Sequence, residues 1–258
     1  MKRTPIWART AILAAALTAA ACAADQTTRR ERAASLRDLG EAHLVDGNRR
    51  AALRELLRAE AIAPRDPQTH NLLGLAYQES ERLDLAVRHF ERALELKPDF
   101  SQARNNLAVV LLRQERWEAA VAHLLQLKDD LLYPTPHYAV TNLGYAYYRQ
   151  GRLDMALVAY QEALKHYSDG FPRDPNYIRV LVGLGRVKLA LGRNAEALAH
   201  LETAAGLAPA HPEIQFELGR AYAAVGDRPN ARHAFDKVGE LAPGSELARK
   251  AREAADRL

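Results

Sequence analysis

From residue 33 onward, small and apolar residues recur in a fixed order with a period near 34. A Leu-Gly pair stands at Leu39-Gly40, Leu73-Gly74, Leu143-Gly144, Leu184-Gly185 and Leu218-Gly219, and Leu107-Ala108 takes the same place between the second and third pairs. Twelve residues after each small residue comes an alanine: Ala52, Ala86, Ala120, Ala156, Ala197 and Ala231. Sixteen residues after it comes a large apolar residue: Leu56, Phe90, Leu124, Tyr160, Leu201 and Phe235. Proline closes most periods, at Pro64, Pro98, Pro209 and Pro243. Apolar positions spaced by three and four within each half-period predict two amphipathic helices per period. Glycines at Gly47, Gly151, Gly192 and Gly226 are placed to stop the first helix in a left-handed cap. The prolines stop the second helix. After Pro243, Ser245 is suited to cap one more helix over 246–258, with Leu247, Ala251 and Ala254 as its apolar stripe.

The first 32 residues do not share this pattern. Lys2, Arg3 and Arg9 precede an apolar run from Ala11 to Ala21. The run is well short of the ~20 apolar residues that cross a bilayer, so residues 1–21 read as a secretory signal peptide. The segment Leu17-Thr18-Ala19-Ala20-Ala21-Cys22 resembles a bacterial lipobox. That resemblance implies cleavage before Cys22, the chain's one cysteine, and acylation of the new N-terminus. Ordinary cleavage, with Cys22 or Ala23 as the N-terminus, fits the same small-residue run. Residues 22–32 read as a lipidated N-terminus and polar tether. Ala23, not Asp, follows the cysteine, which by analogy with lipoproteins points to the periplasmic face of the outer membrane. More than one acyl chain is needed for stable anchoring.

The repeating pattern resembles the tetratricopeptide repeat, a 34-residue helix-turn-helix carrying Leu-Gly-x2-Tyr, then Ala-x3-Phe, then Pro. Tyr77, Tyr147 and Tyr222 fall on its tyrosine position, and His43 replaces tyrosine in the first repeat as an expected core residue. The register gives six repeats, at 33–66, 67–100, 101–134, 137–170, 178–211 and 212–245, with a capping helix at 246–258. The resemblance implies an all-α, right-handed superhelical α-solenoid. Two irregularities interrupt it: Thr135-Pro136, and residues 171–177 in a Pro/Gly/Asp-rich stretch that reads as a loop.

Composition narrows the function. Apolar residues make up 48% and charged residues 26%, an ordinary folded composition. The net charge of +4 falls to 33 basic against 32 acidic residues once 1–21 are set aside, which gives no electrostatic footprint for nucleic acid. One cysteine excludes an intrachain disulfide and a thiolate metal cluster. No phosphate loop or His-Glu-x-x-His is present, and the nine histidines are scattered, so no catalytic residue, cofactor, metal or small-molecule substrate is expected. His123 and His200 are expected on the solvated backs of their helices.

In this repeat family the first helices line a groove that binds protein. Its positions here include Tyr138, Tyr145, Tyr148, Arg149, Arg179, Arg186, Phe216 and Arg220. Tyr, Phe and Arg are enriched at interaction hot spots. Asn106 and Asn142 take a position where some relatives clamp a peptide carboxylate, although asparagine is also common there in ordinary repeats.

A lipobox, six such repeats and a capping helix resemble the type IV pilus pilotins (the PilF/PilW/Tgl type). Leu132-Tyr133-Pro134, followed by Asn142-Leu143-Gly144, resembles the segment these proteins carry at the third-to-fourth repeat junction. The resemblance implies a non-enzymatic factor that helps an outer-membrane secretin form its multimer. Another periplasmic repeat lipoprotein, either an adaptor for peptidoglycan hydrolases or an outer-membrane protein assembly subunit, is the alternative.

Overall fold

A computed structural model of the chain describes residues 6–130, 133–167 and 174–258, with side chains from residue 26 onward. The expected acylation point, Cys22, therefore has its side chain outside the described residues. Leu132 and residues 168–173 of the irregular stretch lie outside them as well.

The described residues form thirteen α-helices and no strand. They are α1 (Ile6–Val45), α2 (Arg49–Ile62), α3 (Pro67–Glu79), α4 (Leu83–Leu96), α5 (Ser101–Arg113), α6 (Trp117–Lys128), α7 (Pro136–Arg149), α8 (Leu153–Lys165), α9 (Pro175–Ala190), α10 (Asn194–Leu207), α11 (Pro212–Ala224), α12 (Arg228–Leu241) and α13 (Glu246–Ala255). Residues 26–32, read from sequence as a tether, are exposed and helical within α1. No described helix is long and apolar enough to cross a membrane. The chain divides into two compact units, Met1–Val110 and Leu111–Leu258.

Local chemistry explains the helix ends. Gly47, Gly151, Gly192 and Gly226 adopt φ of 71–84° between paired helices. In the second and third pairs the same left-handed turn is made by Glu81 (φ 58°) and Glu115 (φ 59°), where a side chain costs about 1–2 kcal/mol that glycine avoids. The second helices of four pairs end one residue before proline, at Ala63, Lys97, Ala208 and Ala242, because a pre-proline residue is driven out of the helical region. Asp66 caps α3 by accepting from the Gln68 and Thr69 amides. Ser245 caps α13 by accepting from the Ala248 amide.

Within a pair, the two helices touch where the first has almost no side chain. A Cβ added to Gly74 would lie 2.5 Å from the Phe90 ring, and one added to Gly219 would lie 2.6 Å from the Phe235 ring. Gly40, Gly144 and Gly185 meet Leu56, Tyr160 and Leu201 in the same way. Ala52, Ala86, Ala120, Ala156, Ala197 and Ala231 are fully buried beside these contacts. In the first unit Ala52, Leu56, Leu72, Leu73 and Ala76 form one core cluster. In the second unit, Leu181, Leu201, Ile214 and Leu218 join α9, α10 and α11, and Phe235, Val238, Ala251 and Ala255 seat α13 on α12.

Two glycines of the last pair should respond in opposite directions to alanine. At Gly219 the new methyl meets the Phe235 ring, and such overpacking costs about 1–3 kcal/mol. At Gly239, on α12, a Cβ meets nothing within 4 Å, so alanine should add roughly 0.5–1 kcal/mol by reducing the backbone entropy lost on folding. Denaturant midpoints measure both. A shift of the two variants in the same direction would contradict the packing described.

Candidate functional site

Helices α7, α9 and α11 are the first helices of three successive pairs in the second unit, and α9 contacts both of the others. Their outward positions line a cleft of about 500 Å³. Thr141 and Tyr145 come from α7. Ile178, Arg179, Val182 and Arg186 come from α9, and Ile214 from α11. Tyr160 reaches the cleft from α8, with its ring pressed between Gly144 and Gly183, where added Cβ atoms would sit 2.9 and 2.2 Å from it. Burial pushes the Tyr160 hydroxyl far above its ordinary pKa, so it stays neutral. The cleft thus has aromatic and aliphatic walls, with two guanidinium groups, the exposed Glu213 carboxylate and His211 also lining it.

Of the residues expected at a groove, Tyr145, Arg179 and Arg186 line this cleft. The other five are placed differently. Tyr138 is half-buried and donates its hydroxyl to Asp174 Oδ1 at 3.1 Å. Tyr148 is half-buried and close enough to Arg186 to interact with it electrostatically. Arg149 lies with its guanidinium carbon 4.6 Å from the Trp117 ring centre, donates to the Tyr145 hydroxyl at 2.8 Å and pairs with Glu115 at 3.0 Å. Phe216 packs on Phe235, ring centres 5.7 Å apart, and so belongs partly to the core of the last pair. Arg220 pairs with Glu217 Oε2 at 2.7 Å.

Glu217 is buried and serves two arginines, since Arg186 Nε reaches its other oxygen at 2.8 Å. Burial works against the Arg186 charge, and the Glu217 carboxylate more than restores it. Three of the four predicted arginines are therefore already committed to acids of this chain. Arg179 differs: it is exposed and donates to the neutral Asn142 Oδ1 at 2.7 Å, and among the described residues it has no ion-pair partner. It is the cation best placed to meet a ligand's acid. Asn142 is thereby a guanidinium acceptor. The corresponding Asn106 donates to Asn71 Oδ1 at 3.0 Å.

A polar network holds the start of α9. Asp174 caps that helix by accepting from the Asn176 amide at 2.8 Å, and it also accepts from the Tyr138 and Tyr167 hydroxyls, each at 3.1 Å. Buried Asn176 donates to Thr141 Oγ1 and to the Tyr167 hydroxyl. Helix α9 consequently begins at Pro175, inside the stretch expected to be a loop.

Sequence reasoning missed Trp117, Tyr160, Glu217 and Asp174. Trp117 and Tyr160 sit on second helices, which the groove register leaves out. Glu217 occupies an inward position where acids are unusual, and that was the available signal. The histidines also differ from expectation. His43 is half-buried, not a core residue, and His200 is half-buried against the buried Lys188 ammonium at 3.0 Å. His70 and His89, nineteen residues apart in sequence, stack with ring centres 5.5 Å apart.

Tetratricopeptide-repeat family models match residues 71–131, 137–210 and 188–255. The chain belongs to the tetratricopeptide-repeat family. Proteins of this family are scaffolds for protein–protein interaction. No curated protein matches the chain in sequence. Among solved structures, PilF of Pseudomonas aeruginosa is 22% identical, with a TM-score of 0.72 over 88% of this chain and 99% of that one. PilW, a widely conserved type IV pilus biogenesis factor, is 20% identical, with a TM-score of 0.75 over 85% of this chain and 98% of that one. A thermophilic repeat protein of Thermus thermophilus is 26% identical, with a TM-score of 0.59 over 73% of this chain and 98% of that one. These likenesses establish the fold.

The Asp174 network has a definite pH dependence. Burial alone would raise the Asp174 carboxyl, but the Asn176 amide, the Tyr167 and Tyr138 hydroxyls and His137 outweigh it and hold the group below its ordinary value. A carboxyl depressed on folding adds stability that is fully present above about pH 4 and is lost as pH falls through the folded value. Asp174→Ala should lower stability at pH 7 by about 1 kcal/mol through the lost cap, and the gap from the parent should narrow below about pH 4. Thermal melts followed by circular dichroism across pH test this, and a gap that widens on acidification would contradict it.

Proposed function

We propose that this chain is an outer-membrane lipoprotein, anchored on the periplasmic face through acylated Cys22, that helps a type IV pilus secretin assemble its multimer. The cleft between α7, α9 and α11 takes an extended segment of the partner. The single observation that carries the reading is this cleft: apolar and aromatic walls at Tyr145, Tyr160, Ile178, Val182 and Ile214, with the guanidinium of Arg179, which has no ion-pair partner among the described residues, at its edge. Such a surface suits a segment with apolar side chains and one carboxylate, which arginine takes in a bidentate pair. Support for the pilus context comes from a fold shared with PilF and PilW over nearly their whole length, and from the lipobox-like segment ending at Cys22.

The cleft is tested by Tyr145→Ala combined with Arg179→Ala. Arg186 is a poorer probe, because removing it leaves buried Glu217 with Arg220 alone. Truncating a hot-spot residue costs about 2 kcal/mol or more, roughly 30-fold in affinity. The double variant should keep its helical circular dichroism and its anchoring but no longer support heat-resistant secretin multimers on immunoblots of envelope fractions. Normal multimers in that variant would remove the cleft from the mechanism. Normal multimers after deletion of the whole protein would remove the secretin and favour the adaptor for peptidoglycan hydrolases.

The anchor is tested separately. Cys22→Ala should move the protein from the outer-membrane fraction to the soluble periplasm, and mass spectrometry of the parent should show an acylated N-terminal cysteine. An unmodified N-terminus on the mature protein would contradict the anchor without touching the cleft.

A further inference from the structure

Three side chains of metal-ligating types meet in the first unit: Glu60 from α2, His70 from α3 and His89 from α4. His70 Nδ1 lies 3.2 Å from His89 Nδ1 and 3.6 Å from Glu60 Oε1. One ligand atom from each of the three lies within 4.8 Å of the others. The tautomer of the neutral His70 ring is set by its other nitrogen. Nε2 stands 3.0 Å from the Pro64 carbonyl oxygen, which can only accept, so Nε2 carries the proton and the Nδ1 lone pair faces His89 and Glu60. A metal-binding histidine is held in the same way, with its second nitrogen donating to a backbone carbonyl.

We propose that Glu60, His70 and His89 bind one divalent first-row transition ion, of which Zn2+ is the test case. Ligand atoms about 2.0–2.1 Å from a tetrahedral Zn2+ stand about 3.3 Å apart, and the two short distances here, 3.2 and 3.6 Å, bracket that value. Two imidazoles and a carboxylate suit such an ion better than Mg2+ or Ca2+, which take oxygen ligands. Three protein ligands leave a fourth position for water. Glu60 has no other ion-pair partner among the described residues, and its flexible, half-buried side chain turns readily toward His89.

In the metal-free chain His89 Nδ1–H donates to His70 Nδ1. On binding, His89 carries its proton on Nε2 instead and stays neutral, with the exchange made through water. Tyr77 stacks on the His89 ring at 5.2 Å and limits its rotation. The three ligands come from three helices of the first two pairs, so a bound ion would clasp α2 to α3 and α4. The site is independent of the cleft and of the proposed anchor.

The test is titration of untagged full-length protein with ZnCl2 by isothermal calorimetry, with a thermal melt in parallel. The parent should take up one equivalent and melt at a higher temperature with Zn2+ than with EDTA. His89→Gln and Glu60→Gln should each bind roughly tenfold more weakly or worse and lose the Zn2+-dependent rise, while melting like the parent in EDTA. His233→Gln, an exposed histidine elsewhere, should bind as the parent does. His70 is too buried for its variant to be decisive, which is why the two half-buried ligands carry the test. No stoichiometric uptake by the parent, or equal uptake by the parent and His89→Gln, would overturn the proposal.

Discussion

The structure depends on one close approach repeated along the chain: in five helix pairs a glycine on the first helix receives a large side chain from the second. Gly74 under Phe90 and Gly219 under Phe235 show how little room there is, since even a methyl carbon would sit inside van der Waals contact. That contact sets the distance and rotation of the two helices in a pair. It also decides which face of the first helix remains outside. Interiors are packed as densely as organic crystals, so the rotation has little freedom, and the outward side chains of α7, α9 and α11 come to line one cleft. The cleft between α7, α9 and α11 is the consequence, and Tyr160 shows the connection directly: the ring that locks one pair at Gly144 also abuts Gly183 of the next first helix and lines the cleft.

Charge around the cleft is arranged by burial more than by number. Arg186 and Arg220 share the buried carboxylate of Glu217, and Arg149 lies on Trp117 with Glu115 beside it. Pairing a buried carboxylate avoids the heavy cost of an isolated buried charge, and it also withdraws those arginines from ligand binding. Arg179, held by a neutral amide, keeps its full capacity for an incoming acid. Counting cations along the groove therefore overstates its affinity for acids.

The repeat, its register and its turn glycines were legible because each follows from spacing along one chain. Gly47, Gly151, Gly192 and Gly226 take left-handed φ where the period demands a turn. The cleft was legible in part, since Tyr145, Arg179 and Arg186 share first-helix positions. What spacing could not show is contact between elements. Trp117 reaches Arg149 from a second helix, and Glu60, His70 and His89 converge from three helices with separations of ten and nineteen residues that match no one-helix pattern. The Pro/Gly/Asp content before α9 read as a loop, yet Asp174 and Pro175 are the cap and first residue of a helix, because the residue types that favour turns also favour helix starts.

That same irregular stretch bears on the shape of the cleft. An insertion between two repeats would be expected to loosen the helix that follows, and α9 supplies four of the cleft's lining residues named above. Instead Asp174 fixes its first turn, and the hydroxyls bound to Asp174 come from α7 and from the end of the preceding pair, through Tyr138 and Tyr167. Asn176 and Thr141 add a second, buried tie between α9 and α7. Two of these groups, Tyr138 and Thr141, sit on the same helix as Tyr145. The polar network and the apolar cleft are thus two ends of one α7–α9 contact. A change at Asp174 can alter the spacing of Tyr145 and Arg179 without touching either, so the geometry of the cleft depends on a carboxylate that lies outside its lining.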